Sequence, residues 1–289
     1  MNLNDLLLNR LSGYPGIKEN MAEYEDEPAI FNKEFPADQQ EGWGGKDQYP
    51  RICYRFDMQV NQERSSAGVL RVAIYTRKDQ KIMNTVEDRV RRCLKDVLMK
   101  PFEQAPFCVA WASTDYYPVE GAGVMCQEVV FDILEYPNQE TTDPDPVLAV
   151  SAFIKEMYPD AVVLGIDRIG DYVDSSEKPI FFCRLQDIQS TTGHCMNTIS
   201  WFNCRVAVHL LYPDSADRLK MIAAINQKMA VAGEIIMLDQ SPMTLKELHV
   251  NNTADYLREG QLVVTGKYGC LRGFEKKTYL TGVGMGFTN

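Results

Sequence analysis

The chain has 289 residues and a formal net charge of −10, with 45% hydrophobic and 24% charged residues, the balance of an ordinary folded protein. That length suits two domains of about 140 residues, each able to bury its own core. The acidic balance argues against a broad nucleic-acid surface, which needs clustered Lys and Arg, and leaves room for a local basic patch.

No segment approaches the roughly 20 apolar residues of a membrane span. The N-terminal MNLNDLLLNRLSGYPG has an acidic residue and no apolar run of signal-peptide length. Eight cysteines stand at 53, 93, 108, 126, 183, 195, 204 and 270, with no C-x-x-C. They read as reduced, buried small hydrophobes of a cytosolic protein.

In chain order, NDLLLNRLSGYPGI predicts a short helix. Asn4 or Asp5 caps it, Leu7, Leu8 and Leu11 share a face, and Ser12-Gly13 with Pro15 stops it. Residues 19–47, acidic early and rich in Pro and Gly late, predict a long loop with one short strand at Ala29-Ile30-Phe31. PRICYRFDMQV (50–60) alternates at period two, with Ile52, Tyr54, Phe56 and Met58 against Cys53, Arg55 and Asp57. It predicts a strand that pairs with VLRVAIYTR across the polar loop NQERSSAG. A helix follows at about 80–99, with Ile82, Val86, Val90, Leu94, Val97 and Leu98 as its apolar stripe. A strand FCVAWAS, a loop TDYYPVEGAG and a last strand VMCQEVVFDILEY close the unit.

PNQETTDPDP (137–146), polar and with three prolines, is the best linker in the chain. The pattern then begins again. A helix VLAVSAFIKEM stops at Tyr158-Pro159 as the first stopped near Tyr14-Pro15. FFCRLQDIQ (181–189) matches ICYRFDMQ (52–59), Cys183 on Cys53, Asp187 on Asp57 and Gln189 on Gln59, 130 positions apart. CRVAVHL (204–210) matches LRVAIYT (70–76), 134 positions apart. A helix at 217–233 and a strand at 257–271 complete the series. A ladder of matches in one order indicates a duplication, or two very similar folds in tandem, divided near residue 145. The expected fold is α+β: two similar tandem domains, 1–140 and 147–289, each a mostly antiparallel sheet with one long helix packed on it and a short N-terminal helix.

The chemistry-bearing residues are few. Of His194, His209 and His249, His209 lies in a strand where the first unit has Tyr75, and it reads as structural. His194-Cys195 with Cys183 and Cys204 is the one metal-like group, and its spacing of 9 to 12 residues is unlike the close ligand pairs of structural zinc sites. No metal is expected. TGVGMGF has alternating glycines with no helix after it to hold a phosphate, so no cofactor is expected. Paired catalytic carboxylates need a rigid cleft. Glu23, Glu25, Asp26 and Glu27, and Asp143 and Asp145 in the linker, instead stand in segments that read as solvated. The first four form an acidic loop suited to face a basic partner, or to line a channel through which DNA slides without sticking. Trp111 reads as core, and Trp201 fits core or interface. Trp43, a loop aromatic between glycines in EGWGGKD, suits an interface anchor. The candidate interface residues are therefore Trp43, Glu23, Glu25, Asp26, Glu27 and Arg64, the last in a polar hairpin loop.

PRICYRFDMQV, VLRVAIYTR, KIMNTVEDRVRRCLKDVLM and GVMCQEVVFDILEY in the first unit, and FFCRLQDIQ, FNCRVAVHL, DRLKMIAAINQKMAVAG and LREGQLVVTG in the second, give an order of elements that resembles tail terminator and tail completion (neck) proteins of tailed bacteriophages. The resemblance covers most of 1–137 and, more loosely, 148–272. It departs from the usual single-domain terminator in having two units. It implies a structural virion protein of the tail neck, not an enzyme, assembled in the host bacterial cytoplasm. That protein forms a ring of six chains, or of three chains as a pseudo-hexamer. The implied partners are copies of itself, the tail tube protein, the sheath protein if the tail is contractile, and the head–tail connector, with DNA only as passing cargo and no membrane. The alternatives are another tail component (a baseplate or head-completion protein), or a duplicated α+β enzyme or ligand-binding protein with a site between its domains.

Overall fold

A computed structural model describes residues 1–59, 66–78, 82–119, 123–139, 142–191 and 198–271. The chain opens with α1 (Leu3–Gly13) and α2 (Pro15–Lys18). Asn2, not Asn4 or Asp5, caps α1: its side-chain oxygen accepts from the Asp5 amide at 2.8 Å, and Leu6, Leu7 and Leu11 are the buried residues. The next stretch contains a two-strand ribbon, β1 (Glu23–Tyr24) and β2 (Glu27–Pro28), then β3 (Ile30–Asn32) and a 3-10 turn at Glu41–Trp43. β4 (Arg51–Met58) and β5 (Gly68–Arg77) pair antiparallel, α3 (Met83–Leu94) follows, and β6 (Val97–Met99), β7 (Phe107–Val119) and β8 (Val124–Glu135) end the first unit.

Two expectations fail here for identifiable reasons. The long helix stops at Leu94, because Lys95 is extended and Asp96 takes the left-handed region (φ 56°). Val97 and Leu98 continue the helical stripe by spacing, so periodicity alone could not separate them from it. Both are fully buried, and the short strand they form sits within a sheet. The presumed loop after FCVAWAS is instead the continuation of β7, whose strand runs to Val119 past a bulge between Trp111 and Ser113.

The second unit comprises α4 (Pro146–Met157), β9 (Val162–Val163), β10 (Tyr172–Asp174), β11 (Ile180–Ser190), β12 (Ile199–Leu211), α5 (Ser215–Ala232), β13 (Glu234–Ile236), β14 (Pro242–Val250) and β15 (Leu262–Leu271). Asp145 of the linker caps α4, accepting from the Val147 and Leu148 amides at 2.8 and 3.1 Å. Gly233, left-handed at φ 72°, ends α5.

The fold is α+β, with two sheets and helices against each. One sheet runs β10-β6-β7-β8-β5-β4-β3 and the other β13-β14-β15-β12-β11-β9. Without β10 the two orders are the same plan: β6, β7, β8, β5, β4, β3 correspond to β13, β14, β15, β12, β11, β9. The details repeat as well. β3 lies parallel to β4 as β9 does to β11, and β14 bulges against β15 between Leu245 and Glu247 as β7 does against β8.

The pairing also corrects the alignment of the repeats. Ile74 and Val208 match at the 134-position offset. Their antiparallel partners are Ile52 and Cys183. Cys183 therefore occupies the place of Ile52, not of Cys53, and points inward as Ile52 does. A one-residue slip in a strand exchanges the two faces, so burial decides between the alignments.

Each sheet packs its helices on one face. Leu6, Leu7 and Leu11 of α1 and Val86, Val90 and Leu94 of α3 meet Ile52, Tyr54, Val72, Ile74 and Phe131. Val150 and Ile154 of α4 and Ile222, Ile225 and Met229 of α5 meet Phe181, Val206, Val208 and Val264. Each such side chain contributes about 1.5–3 kcal/mol of burial. A third core joins the units through the opposite faces of the sheets, where Leu98, Cys108, Leu134 and Tyr136 pack on Leu164, Ile180, Phe182 and Leu211.

Candidate functional site

The acidic residues Glu23, Glu25, Asp26 and Glu27 converge on the β1–β2 ribbon, all exposed. Glu25 and Asp26 form its turn, both at positive φ (50° and 64°), the conformation of a tight two-residue hairpin turn. Lys46 donates to Glu23 at 2.5 Å, and this hydrogen bond holds the carboxyl below its ordinary range. The ribbon offers a small negative tip, held on a defined turn.

Trp43 lies behind that ribbon and is 2% exposed. Its ring meets Tyr24 and Phe31 edge-on, at 5.0 and 6.0 Å between centroids, and its Nε1 donates to the Ala37 carbonyl at 3.1 Å. Gly42 has no side chain because Tyr24 fills the space where a Cβ would stand. The expectation of Trp43 as a surface anchor is corrected. The loop is long enough to close a satellite core with Ala22 and Ala29, and the tryptophan fills it. Arg64 lies outside the described residues, as do His194, Cys195 and TGVGMGF.

Trp111 departs in the opposite sense. It is 49% exposed, not core. It stands just before the bulge in β7, paired with Phe131, where the Arg91 guanidinium lies 4.2 Å from its ring and its Nε1 donates to Thr114 Oγ1 at 3.0 Å. Trp201 is half-buried, with Lys267 Nζ 5.1 Å from its ring centroid.

The joint between the units carries a buried imidazole. His209 is 2% exposed, beside Tyr136 and Phe182. Its Nε2 accepts from Arg184 Nε at 3.1 Å, which leaves Nδ1 to donate to the Tyr256 carbonyl at 3.3 Å. Burial, and then the Arg184 charge, push its pKa down to about 4. A cavity of about 320 Å³ opens here, lined by Tyr136, Phe182, Arg184, His209 and Arg258. Around it, Tyr136 Oη donates to the Leu257 carbonyl at 3.1 Å, Arg258 pairs with Asp132 at 2.6 Å, and Tyr256 Oη donates to the buried Asp96. Sequence reasoning placed His209 on a strand and read it as structural. It did not foresee that the outer face of that strand is covered by the other unit. Both ring nitrogens are engaged, so the imidazole acts first as a connector. A broader groove of about 700 Å³ runs between residues 100–106, 137–138 and 164–169, with Lys100, Glu103 and Arg168 on its walls.

Among the described residues no group of three or more His, Cys, Asp or Glu side chains is placed to hold a metal ion. The seven cysteines among the described residues are free thiols, five buried and two half-buried. Burial raises the thiol pKa of Cys183 to about 12 and of Cys204 to about 11, so neither is a ready thiolate. No described helix is long and apolar enough to cross a membrane.

The sheet margins are the remaining surfaces with unfilled bonding capacity. Among the described residues β6 pairs with β7 only at Met99–Phe107, and β13 covers only the Pro242–Thr244 end of β14. At the opposite margins β3 covers 52–54 of β4, and β9 covers 180–181 of β11. Among the described residues β3 and β9 thus leave most of β4 and β11 uncovered at matching places, and the outer edge of β13 carries no strand, whereas β10 covers that of β6.

Comparison with models of known protein families finds no family that matches this chain, and comparison with curated proteins finds no matching relative.

Proposed function

We propose that the protein is a ring-forming structural component of a bacteriophage tail, a terminator or neck protein that caps the tail tube and offers a face to the head connector. The observation that carries this reading is the repetition of one six-strand order in two units, with the edges beyond β3, β9 and β13 carrying no further strand among the described residues. Closed rings form when like units meet head to tail at a rotation that closes, and strand edges are natural templates for such contacts. The acidic β1–β2 tip suits a position facing a basic neighbour or a channel through which DNA passes. Two units per chain allow a ring of three chains, or six chains that use one unit for the ring and the other for tube, sheath or connector. Light scattering after size exclusion, on the chain alone and mixed with tail-tube protein, tests the reading. A three- or six-chain particle is expected, and a monomer in both samples overturns it.

A second reading is a duplicated enzyme or ligand-binding protein whose site is the joint cavity at His209. The buried imidazole with a lowered pKa favours it. Its cost is that Nε2 is already occupied by Arg184. A small molecule that raises the melting temperature of the wild type and not of a His209→Gln variant would move the assignment there.

A further inference from the structure

The two units differ most sharply at one pair of equivalent edges. In the first unit β6 is covered. β10, a strand from the second unit, adds to it antiparallel, Tyr172 on Met99, Val173 on Leu98 and Asp174 on Val97. Backbone bonds continue the join, Lys100 N to the Asp171 carbonyl at 2.8 Å and Ser175 N to the Asp96 carbonyl at 3.0 Å. Arg10 of α1 adds an ion pair to Asp174 at 3.6 Å. Val97 and Met99 face the helix-side core, and Leu98, on the opposite face, is fully buried among residues of both units.

In the second unit the equivalent strand is β13, and among the described residues its outer edge has no strand on it. Ile235 points into the core. Ile236, which alternates outward as Leu98 does, is 53% exposed, and its neighbours Val231 and Leu238 are 80% and 63% exposed. A strand edge flanked by exposed aliphatic side chains invites pairing with another chain unless something covers it.

The chain itself shows what covers such an edge. β10 lies between β9 and β11, in a connection of residues 164–179. The matching connection of the first unit lies between β3 and β4, at residues 33–50, and is of similar length. From this correspondence we infer that β13, with Val231, Ile236 and Leu238, docks the first unit of a second copy of the chain. The annex 33–48 of that copy sits against β13 where β10 sits on β6, and because its 3-10 turn and buried Trp43 keep it from forming a strand there, its exposed face covers Ile236 and Leu238 instead. The contact is head to tail. It repeats between chains the relation already present within one chain, so three chains carry six units in one series of joints. The inference rests on the ring reading above and names the surface that closes the ring.

Two experiments on the full chain test it. A photoreactive residue replaces Ile236 (Ile236→benzoylphenylalanine) in a mixture of light and heavy isotope-labelled chains, so that links between copies can be told from links within one. Crosslinks from 236 to residues 33–48 of another copy are expected. In parallel, an Ile236→Asp/Leu238→Asp variant should lose self-association at least tenfold while its melting temperature, measured below the assembly concentration, stays within a few degrees of wild type. Crosslinks that map elsewhere, including to β13 of the second copy, overturn the inference and leave the ring reading standing, as does a variant that assembles like wild type. A wild type that stays monomeric with and without tail-tube protein overturns both. Head-to-tail crosslinks in a particle that ignores tail-tube protein keep the inference and sink the tail reading.

Discussion

The two units of this chain follow one plan on their inner faces and diverge on their outer ones. Inside, both sheets pack two helices through an alternating aliphatic face. Outside, the position of Tyr75 in the first unit becomes His209 in the second, the edge of β6 is covered and that of β13 is bare, and only the first unit has a described annex built around Trp43. The inner face is what any such sheet needs in order to fold. The differences lie where one unit meets the other, or where a further partner would be met, and they are where a specific role is to be sought.

Substitution at the matched edges gives the sharpest contrast. Leu98→Asp places a charge in the core between the units and should cost about 4 kcal/mol or more in urea unfolding. Ile236→Asp should change the unassembled chain by no more than about 0.5 kcal/mol. Equal costs would mean that the two edges are alike after all. Trp43→Ala empties the satellite core and should cost about 3 kcal/mol, with faster proteolytic cutting between Lys33 and Lys46. No gain in cutting would show that the annex holds without its tryptophan.

The Tyr75/His209 difference predicts a response to acid. Above about pH 6.5 the imidazole is neutral in the folded and the unfolded chain alike. As pH falls below 6.5 the unfolded chain takes up the proton first, and stability is lost until the folded group titrates near pH 4. The loss through this group should reach about 3 kcal/mol at pH 4. A His209→Gln variant keeps the ability to accept from Arg184 and to donate to the Tyr256 carbonyl. It should show a shallower decline between pH 7 and 4, and parallel curves for the two proteins would remove the histidine from the account. A small effect is also expected at the exposed Trp111: Trp111→Ala should shift stability by under about 1 kcal/mol, against the larger cost at Trp43.

Much of this plan could be read from the residues. The alternation in PRICYRFDM and LRVAIYT gave the hairpin, and the repeated order gave the second copy of the sheet. What escaped shares a physical origin. Val97-Leu98-Met99 is apolar on every residue, because its strand is buried on both faces, and such a run looks the same in a helix as in a strand. β7 hid its outer half behind Tyr116, Tyr117 and Pro118, exposed residues of a sheet margin with no alternation to betray them. β10 is three residues long, and its partner strand lies 73 residues earlier (Tyr172 on Met99), a distance no local pattern can span. Of the candidate site residues, the four acidic side chains were legible as a solvated group. Trp43 was not, since a tryptophan between glycines looks the same whether it faces a partner or closes over its own loop.

The order in which the chain is made gives β10 a further meaning. At a synthesis rate of about 5–20 residues per second, roughly 2–7 s separate the completion of β8, which ties β6 and β7 into the first sheet, from the emergence of the strand that covers β6. During that interval a nearly complete first sheet presents an apolar edge to every neighbouring nascent chain. Crowded ribosomes translating this message would therefore be the place where copies are most apt to exchange their tenth strands. A cell that makes the protein in quantity gains by spacing those ribosomes, or by slowing nothing between residues 135 and 174.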